Sequence, residues 1–378
     1  MSTVGLNAHL LNLSASYRGA GIHRFIHHFL SELPAAAPQY RYVTFLNDVG
    51  MASPAPAMQM RYTRWHTQNP IARIAWEQTA LPLAAFTERL DLLHSLAFAR
   101  PVLARCPLVL TIYDLSFVRM PERFPPLQRR YLQLMTRYSA RHAAAITVIS
   151  QSTKNDVIEF YGIAPERIQV VYCGVDEQFR QLAAAEIEEF RANKGLPARY
   201  ILYLGTLEPR KNVAQLVRAF AALPPAGRPK LVIAGAKGWG YADLFAAAEQ
   251  SGVRSDIIFP GYVAQAELPL WYNAAELFVY PSQYVGFGLP VAEAMACGTP
   301  TITSNVSSLP EVAGNAALTV GPADTQGLAG AIASVLSDAQ LRAQLKERGV
   351  AQAAQFTWRR VAEQTAQVYA RVLKRHAP

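Results

Sequence analysis

Apolar residues fall in short continuous runs, separated by stretches where they recur every three or four positions. The runs at 42–46, 90–94, 108–113, 145–149 and 169–172 predict one series of strands. Those at 200–204, 230–234, 257–259, 277–280, 301–303 and 317–320 predict a second. Many are apolar at every position rather than alternating, as strands buried on both faces of a parallel sheet are. Helical spacing lies between them, for example at 213–222 and 328–336. Strand–helix alternation predicts βαβ units with helices on both faces of each sheet.

The two series part between 174 and 200. Gly174-Val175-Asp176 breaks the last strand of the first, and a polar helix at 184–194 leads to Leu196-Pro197. We expect domains at 1–180, 181–357 and a C-terminal helix at 358–378. Two α/β halves of similar size predict a ligand cleft between them. The proline-rich stretches at 34–38 and 52–57 read as ordinary loops.

Composition narrows the class. The 378 residues are 51% hydrophobic and 17% charged, which excludes a disordered chain. Cys106, Cys173 and Cys297 form no CxxC pair, so neither a disulfide framework nor a cysteine zinc site is expected, and a reducing compartment is. The opening MSTVGLNAHLLNL lacks the pattern of a signal peptide, and no run of 18 apolar residues occurs, so a cytoplasmic location is expected. The formal charge is +9, and residues 1–180 hold 18 Lys+Arg against 12 Asp+Glu. A basic first half suits an anionic membrane surface or a phosphate-bearing substrate, and equally a solvated surface. Nothing resembles an RNA-binding strand or a zinc finger, so nucleic acid is not expected.

Two segments carry the chemistry. Tyr280 ends a strand, Gly286 and Gly288 permit close backbone approach, and a helix opening near Pro290 favours anions at its start. Glu293 is expected in the first helical turn, where it caps or accepts from sugar hydroxyls. Without a ligand, the same residues describe a tight turn with an acid favoured by the helix dipole. In LYLGTLEPRKN at 202–212, a strand ends at Gly205 and a helix starts near Asn212. Arg210 and Lys211 then stand at the carboxyl end of a parallel strand, where α/β sheets place ligands. A guanidinium fork and an ammonium can together neutralise a diphosphate. An isolated Arg-Lys pair also suits a solvated turn.

Together these segments resemble the retaining, nucleotide-sugar-dependent glycosyltransferases of family 4. GTLEPRKN, GYV at 261–263, YPS at 280–282, GFGLPVAEAMACGTP at 286–300 and SNVSSLPEVAG at 304–314 stand in family order. YRGAGIHRF at 17–25, WEQ at 76–78, LPL at 81–83, DLLHS at 91–95, YDLSF at 113–117 and VYCGVDEQF at 171–179 extend the resemblance over nearly the whole chain. It is strongest to bacterial mannosyltransferases of surface-polysaccharide synthesis.

The resemblance implies the GT-B fold, two Rossmann-like domains facing across a cleft, with a C-terminal helix crossing back to the N-terminal domain. It implies that Arg210 and Lys211 hold the donor diphosphate and stabilise the leaving group. Glu293 would bind the ribose. Gly286, Phe287, Gly288 and Leu289 would meet sugar and phosphate through their backbone, the turn from Gly261 to Val263 would contact the base, and Gly21 would bring its amide to the phosphate. Gly205 closes the strand beneath. No cofactor is implied: the substrate is a GDP- or UDP-linked sugar, the acceptor a saccharide or lipid-linked saccharide, and contact with an anionic membrane on its inner face is expected. No Asp-x-Asp occurs, so no metal is expected.

The chain departs from the family twice. Val285 stands where the first of two glutamates contacts donor hydroxyls, and a buried unpaired hydroxyl there would cost about 1–3 kcal/mol. Tyr113 stands where a histidine precedes Asp114, and its hydroxyl could replace one hydrogen bond. Asp114 is a candidate acceptor-side carboxylate, or a strand-end residue capping a turn. His94 is a candidate sugar contact or a core histidine. His23 and His27 share a helix face and want further ligands for a metal, although His23 is near the donor-facing loop. Gly19-Ala20-Gly21 lacks the third glycine of a dinucleotide fingerprint. Two other readings stay open: a sugar-nucleotide epimerase, and a degenerate family member binding nucleotide sugar or a partner without turnover, which Val285 would explain.

Overall fold

The computed structural model describes residues 1–11, 21–47, 55–67 and 69–376. The chain divides into two compact units, residues 1–174 with 357–378, and residues 175–356. The expected boundary near 180 moves to 174/175 for a physical reason. Val175 N–H donates to Phe356 O at 2.9 Å, and the Asn273 side chain bonds Arg180 O and Leu182 N, so residues 175–182 are tied into the second unit.

Among the described residues, the first unit holds seven parallel strands: β1 Thr3–Asn7, β2 Arg41–Leu46, β3 Gln59–Tyr62, β4 Leu92–Ser95, β5 Leu108–Ile112, β6 Ala145–Val148 and β7 Ile168–Val170. Their order is β3-β2-β1-β4-β5-β6-β7. The hydrophobic runs do not predict β1 or β3. β1 is central and buried at all five positions, and a Cβ on Gly5 would collide with Leu90. β3 lies at the edge and is partly exposed, so its pattern is weak. Helix Trp358–Arg375 completes this unit by packing Val361, Val368, Tyr369 and Val372 inward. Trp358 stacks on His28, with centroids 4.9 Å apart, and meets Phe25 edge-on.

The second unit repeats the plan with β8 Tyr200–Leu204, β9 Lys230–Ala234, β10 Ile257–Gly261, β11 Leu277–Tyr280, β12 Thr301–Ser304 and β13 Leu318–Val320. These are parallel, in the order β10-β9-β8-β11-β12-β13. In each sheet the order reverses next to its first strand, at β1/β4 and at β8/β11. Loops leaving such a switch point diverge and open a crevice at the strand carboxyl ends.

Candidate functional site

Arg210 and Lys211 leave β8 and the Tyr280–Leu289 segment leaves β11, so the β8/β11 reversal places both at one crevice. Backbone bonds lock the loops together. Gln283 N–H and Ser282 Oγ–H both donate to Arg210 O, at 2.8 and 3.0 Å. The Arg210 side chain donates to Glu208 Oε1 at 2.6 Å and to Tyr284 O at 3.4 Å. Lys211 is buried in a short 3₁₀ turn, Pro209–Lys211, and its Nζ donates to Tyr280 Oη at 2.5 Å. Burial holds the Tyr280 phenol well above its ordinary range, so it stays neutral and its oxygen accepts from the lysine. The turn thus fixes two cations at a strand carboxyl end, a geometry for a diphosphate.

The facing segment supplies a helix N-terminus. Gly288 precedes helix Leu289–Ala296 with φ 105°, which disfavours any side chain, and a Cβ there would come within 2.9 Å of Leu309 Cδ2. Phe287 is buried edge-on against Phe356. Gly286, Phe287 and Gly288 form the turn between β11 and the helix, which Leu289 opens. Because the helix begins at Leu289, Glu293 stands at its fifth position and not in the first turn as expected. It is buried, and the Tyr272 hydroxyl donates to its Oε2 at 3.0 Å.

Val285 is buried within a serine clamp that the motifs did not single out. Its N–H donates to Ser307 Oγ at 3.2 Å, and its carbonyl accepts from Ser307 Oγ and Ser308 Oγ at 2.7 and 3.0 Å. Ser308 Oγ also lies 2.7 Å from Phe287 O, so its single proton serves one of these two carbonyls at a time. The paired serines within SNVSSLPEVAG are the signal that could have found it. Val263 follows β10, half-buried beyond Gly261, whose carbonyl accepts from Gly235 N–H at 2.8 Å. Gly205 follows β8, packed against Tyr203 and Tyr280.

The first unit revises two expectations. His94 is buried, with Nδ1 2.6 Å from Tyr369 Oη and Nε2 2.7 Å from Thr111 Oγ1, and burial pushes it down to about 3. Both ring nitrogens are engaged, so it serves the core and does not offer a sugar contact. Tyr113 is likewise buried, and its hydroxyl donates to Leu96 O at 2.7 Å, so it cannot replace the family histidine. Asp114 Oδ1 accepts from Ser116 N–H at 2.9 Å in a turn after β5. Gly21 precedes helix Ile22–Ala36 at φ 69°, and His23 lies in its first turn. Residues 17–20 of that segment, including Gly19, lie outside the described residues, as do residues 52–54.

The sequence did not single out a polar cluster at the end of β1. Asn7 Nδ2 donates to buried Glu77 at 3.3 Å, and burial raises that carboxyl. His9 stacks on Trp76 at 3.6 Å, and burial, then Arg73, lowers it to about 3. Among the described residues no three His, Cys, Asp or Glu side chains stand together as a metal site would. No described helix is long and apolar enough to cross a membrane.

Comparison with known proteins agrees with this architecture. Residues 5–179 match the family model for Glycosyltransferase Family 4, and residues 185–352 the model for Glycosyl transferases group 1. The O-antigen chain mannosyltransferase B of Escherichia coli is 36% identical over 264 residues, covering 69% of each chain. The serotype-specific mannosyltransferase WbdA of Escherichia coli is 33% identical over 275 residues, 70% of this chain but only 34% of that longer protein. Among solved structures, the sucrose-phosphate synthase of Thermosynechococcus elongatus superposes with TM-score 0.81 at 20% identity, covering 99% of this chain and 100% of the other. Two parallel-sheet units, both matched by these models, and a relative this similar over two thirds of its length identify the chain as a glycosyltransferase of family 4, with the GT-B fold.

Proposed function

We propose that this glycosyltransferase moves a hexosyl group from a nucleotide diphosphate sugar to a saccharide or lipid-linked acceptor, with retention at the anomeric carbon and without a metal ion or other cofactor. The observation that carries the reading is the Arg210–Lys211 turn locked to the glycine-rich start of helix Leu289–Ala296 at the β8/β11 reversal. These groups neutralise charge where it develops, on the leaving diphosphate. Glu293 takes the ribose hydroxyls, Val263 lies beside the base, and Gly21 offers its amide to the phosphate. Asp114 is the candidate carboxylate on the acceptor side. The acceptor hydroxyl attacks the face the diphosphate leaves, and a phosphate oxygen takes its proton, so no protein nucleophile is needed. Mannose from GDP-mannose is the first donor to try, because the Escherichia coli relatives at 36% and 33% identity are mannosyltransferases.

The test is transfer from GDP-mannose, with and without a chelator, followed by NMR of the product anomer. Retention with unchanged rate in the chelator is expected. Arg210→Ala or Lys211→Ala should lower kcat about 10²–10³-fold. An inverted product, or a rate restored only by added divalent cation, would reject the mechanism.

A further inference from the structure

Two tyrosine hydroxyls lie inside the second unit's core, where packing alone would favour phenylalanine. Tyr280 ends β11 and Tyr272 lies in helix Leu268–Ala274, and both are buried. Their rings belong to one aromatic column. Tyr203 of β8 stacks on Tyr280, Tyr280 stacks on Phe278, and Tyr272 meets Phe278 edge-on, with centroids 6.0, 6.0 and 5.2 Å apart. A buried hydroxyl costs free energy unless it is hydrogen-bonded, so each oxygen needs a reason.

The partners supply it. Tyr280 Oη accepts from Lys211 Nζ at 2.5 Å, and Tyr272 Oη donates to Glu293 Oε2 at 3.0 Å. One hydroxyl grips the cation proposed for the diphosphate, and the other grips the carboxylate proposed for the ribose. These charges stand on separate segments, the turn after β8 and helix Leu289–Ala296, and the column connects them. The tyrosines are themselves held in place. Thr299 Oγ1 donates to Tyr272 O at 2.8 Å, Phe179 packs edge-on against the Tyr272 ring, and Thr303 Oγ1 donates to Tyr280 O at 2.9 Å. The third tyrosine of the column differs: the Tyr203 hydroxyl donates to a backbone group, Thr206 O, at 3.3 Å.

We propose that Tyr280 and Tyr272 are positioning residues for the donor, the first aiming Lys211 at the diphosphate and the second aiming Glu293 at the ribose hydroxyls. Lysine carries its charge on a flexible four-carbon stem, and fixing it beforehand reduces the ordering that binding must bring about. An ammonium has three donors, so its bond to Tyr280 is compatible with others to phosphate oxygens. A carboxylate accepts at about four positions, so it can hold Tyr272 and two ribose hydroxyls together. The inference rests on the donor site proposed above and deepens it, because it divides recognition of phosphate and of ribose between two residues that touch neither. A tyrosine that merely supports the fold would, when changed, weaken every ligand alike. A positioning tyrosine weakens only ligands that carry the group it serves.

The experiment is calorimetric titration of the full chain with GDP, guanosine and 2′,3′-dideoxy-GDP, or with their uridine counterparts where the parent prefers UDP. Tyr280→Phe should weaken GDP and the dideoxy nucleotide about tenfold and leave guanosine within about twofold. Tyr272→Phe should weaken GDP and guanosine about fivefold and leave the dideoxy nucleotide within about twofold. Tyr203→Phe should keep the three affinities in the parent's ratio. Thermal melts check that each variant folds. Should one not fold, 3-fluorotyrosine at that position keeps the ring, alters the acidity of the hydroxyl and should move the same ratios. Equal losses for all three ligands, or ratios unchanged from the parent, would overturn the proposal and leave the donor site standing. A folded parent that binds neither series rejects the donor site, and this inference with it.

Discussion

At the scale of single residues, Val285 is one of the two positions where the sequence departs from the family pattern. Its backbone is held by Ser307 and Ser308, and its side chain is buried. A carboxylate there would lose water without a partner prepared for it, which costs several kcal/mol if ionised. Val285→Glu should therefore lower the melting temperature of the second unit, by about 2 kcal/mol or more of stability, without raising transfer. A large gain of transfer would instead mark the valine as a lesion in a site built for glutamate. The strand, turn and helix start that flank Arg210 and Lys211 made their place after β8 legible in the sequence. It did not show that Lys211 is buried against Tyr280, since those residues are 69 positions apart.

Among elements, the glycine-rich turn depends on a clamp from outside the motif. Ser308 Oγ lies within bonding reach of two carbonyls, those of Val285 and Phe287, and so fixes the path of the chain between them. Ser308→Ala leaves Phe287 O without that donor, while Val285 O keeps Ser307, at a cost of about 1–3 kcal/mol. The expected result is a several-fold rise in KM for the donor with a smaller change in kcat, read from steady-state kinetics. Equal loss in both with an unchanged melting temperature would argue against a positioning role. Continuous apolar runs placed all eleven expected strands, to within two residues at each end. β1 was invisible because Gly5 and Asn7 dilute a five-residue run, although a side chain at Gly5 would have to displace the end of Leu90. His94 looked like a site residue because it ends a strand. Its partner Tyr369 lies 275 residues away on the last helix, beyond the reach of local pattern.

For the molecule as a whole, buried neutral histidines set an acid limit. His9 and His94 are each held near 3, against an ordinary value of 6.5. The unfolded chain binds more protons between these values, so their contribution is fully present above about pH 6.5 and falls as pH drops toward 3. Each histidine then costs up to about 1.4 kcal/mol per pH unit below 6.5. Unfolding of the first unit followed from pH 7 to pH 5 should show this loss, and a flat profile would contradict the burial of both rings. The central claim, that the β8/β11 crevice holds a nucleotide diphosphate without a metal, is tested most directly by calorimetric titration with GDP, UDP and ADP. The titrations are run with and without Mg²⁺, on the parent chain and on Lys211→Ala. The account predicts a clear preference for one nucleotide, unchanged by Mg²⁺ and lost in Lys211→Ala. Binding of none of the three by the folded parent chain, or binding that Lys211→Ala leaves intact, would contradict it.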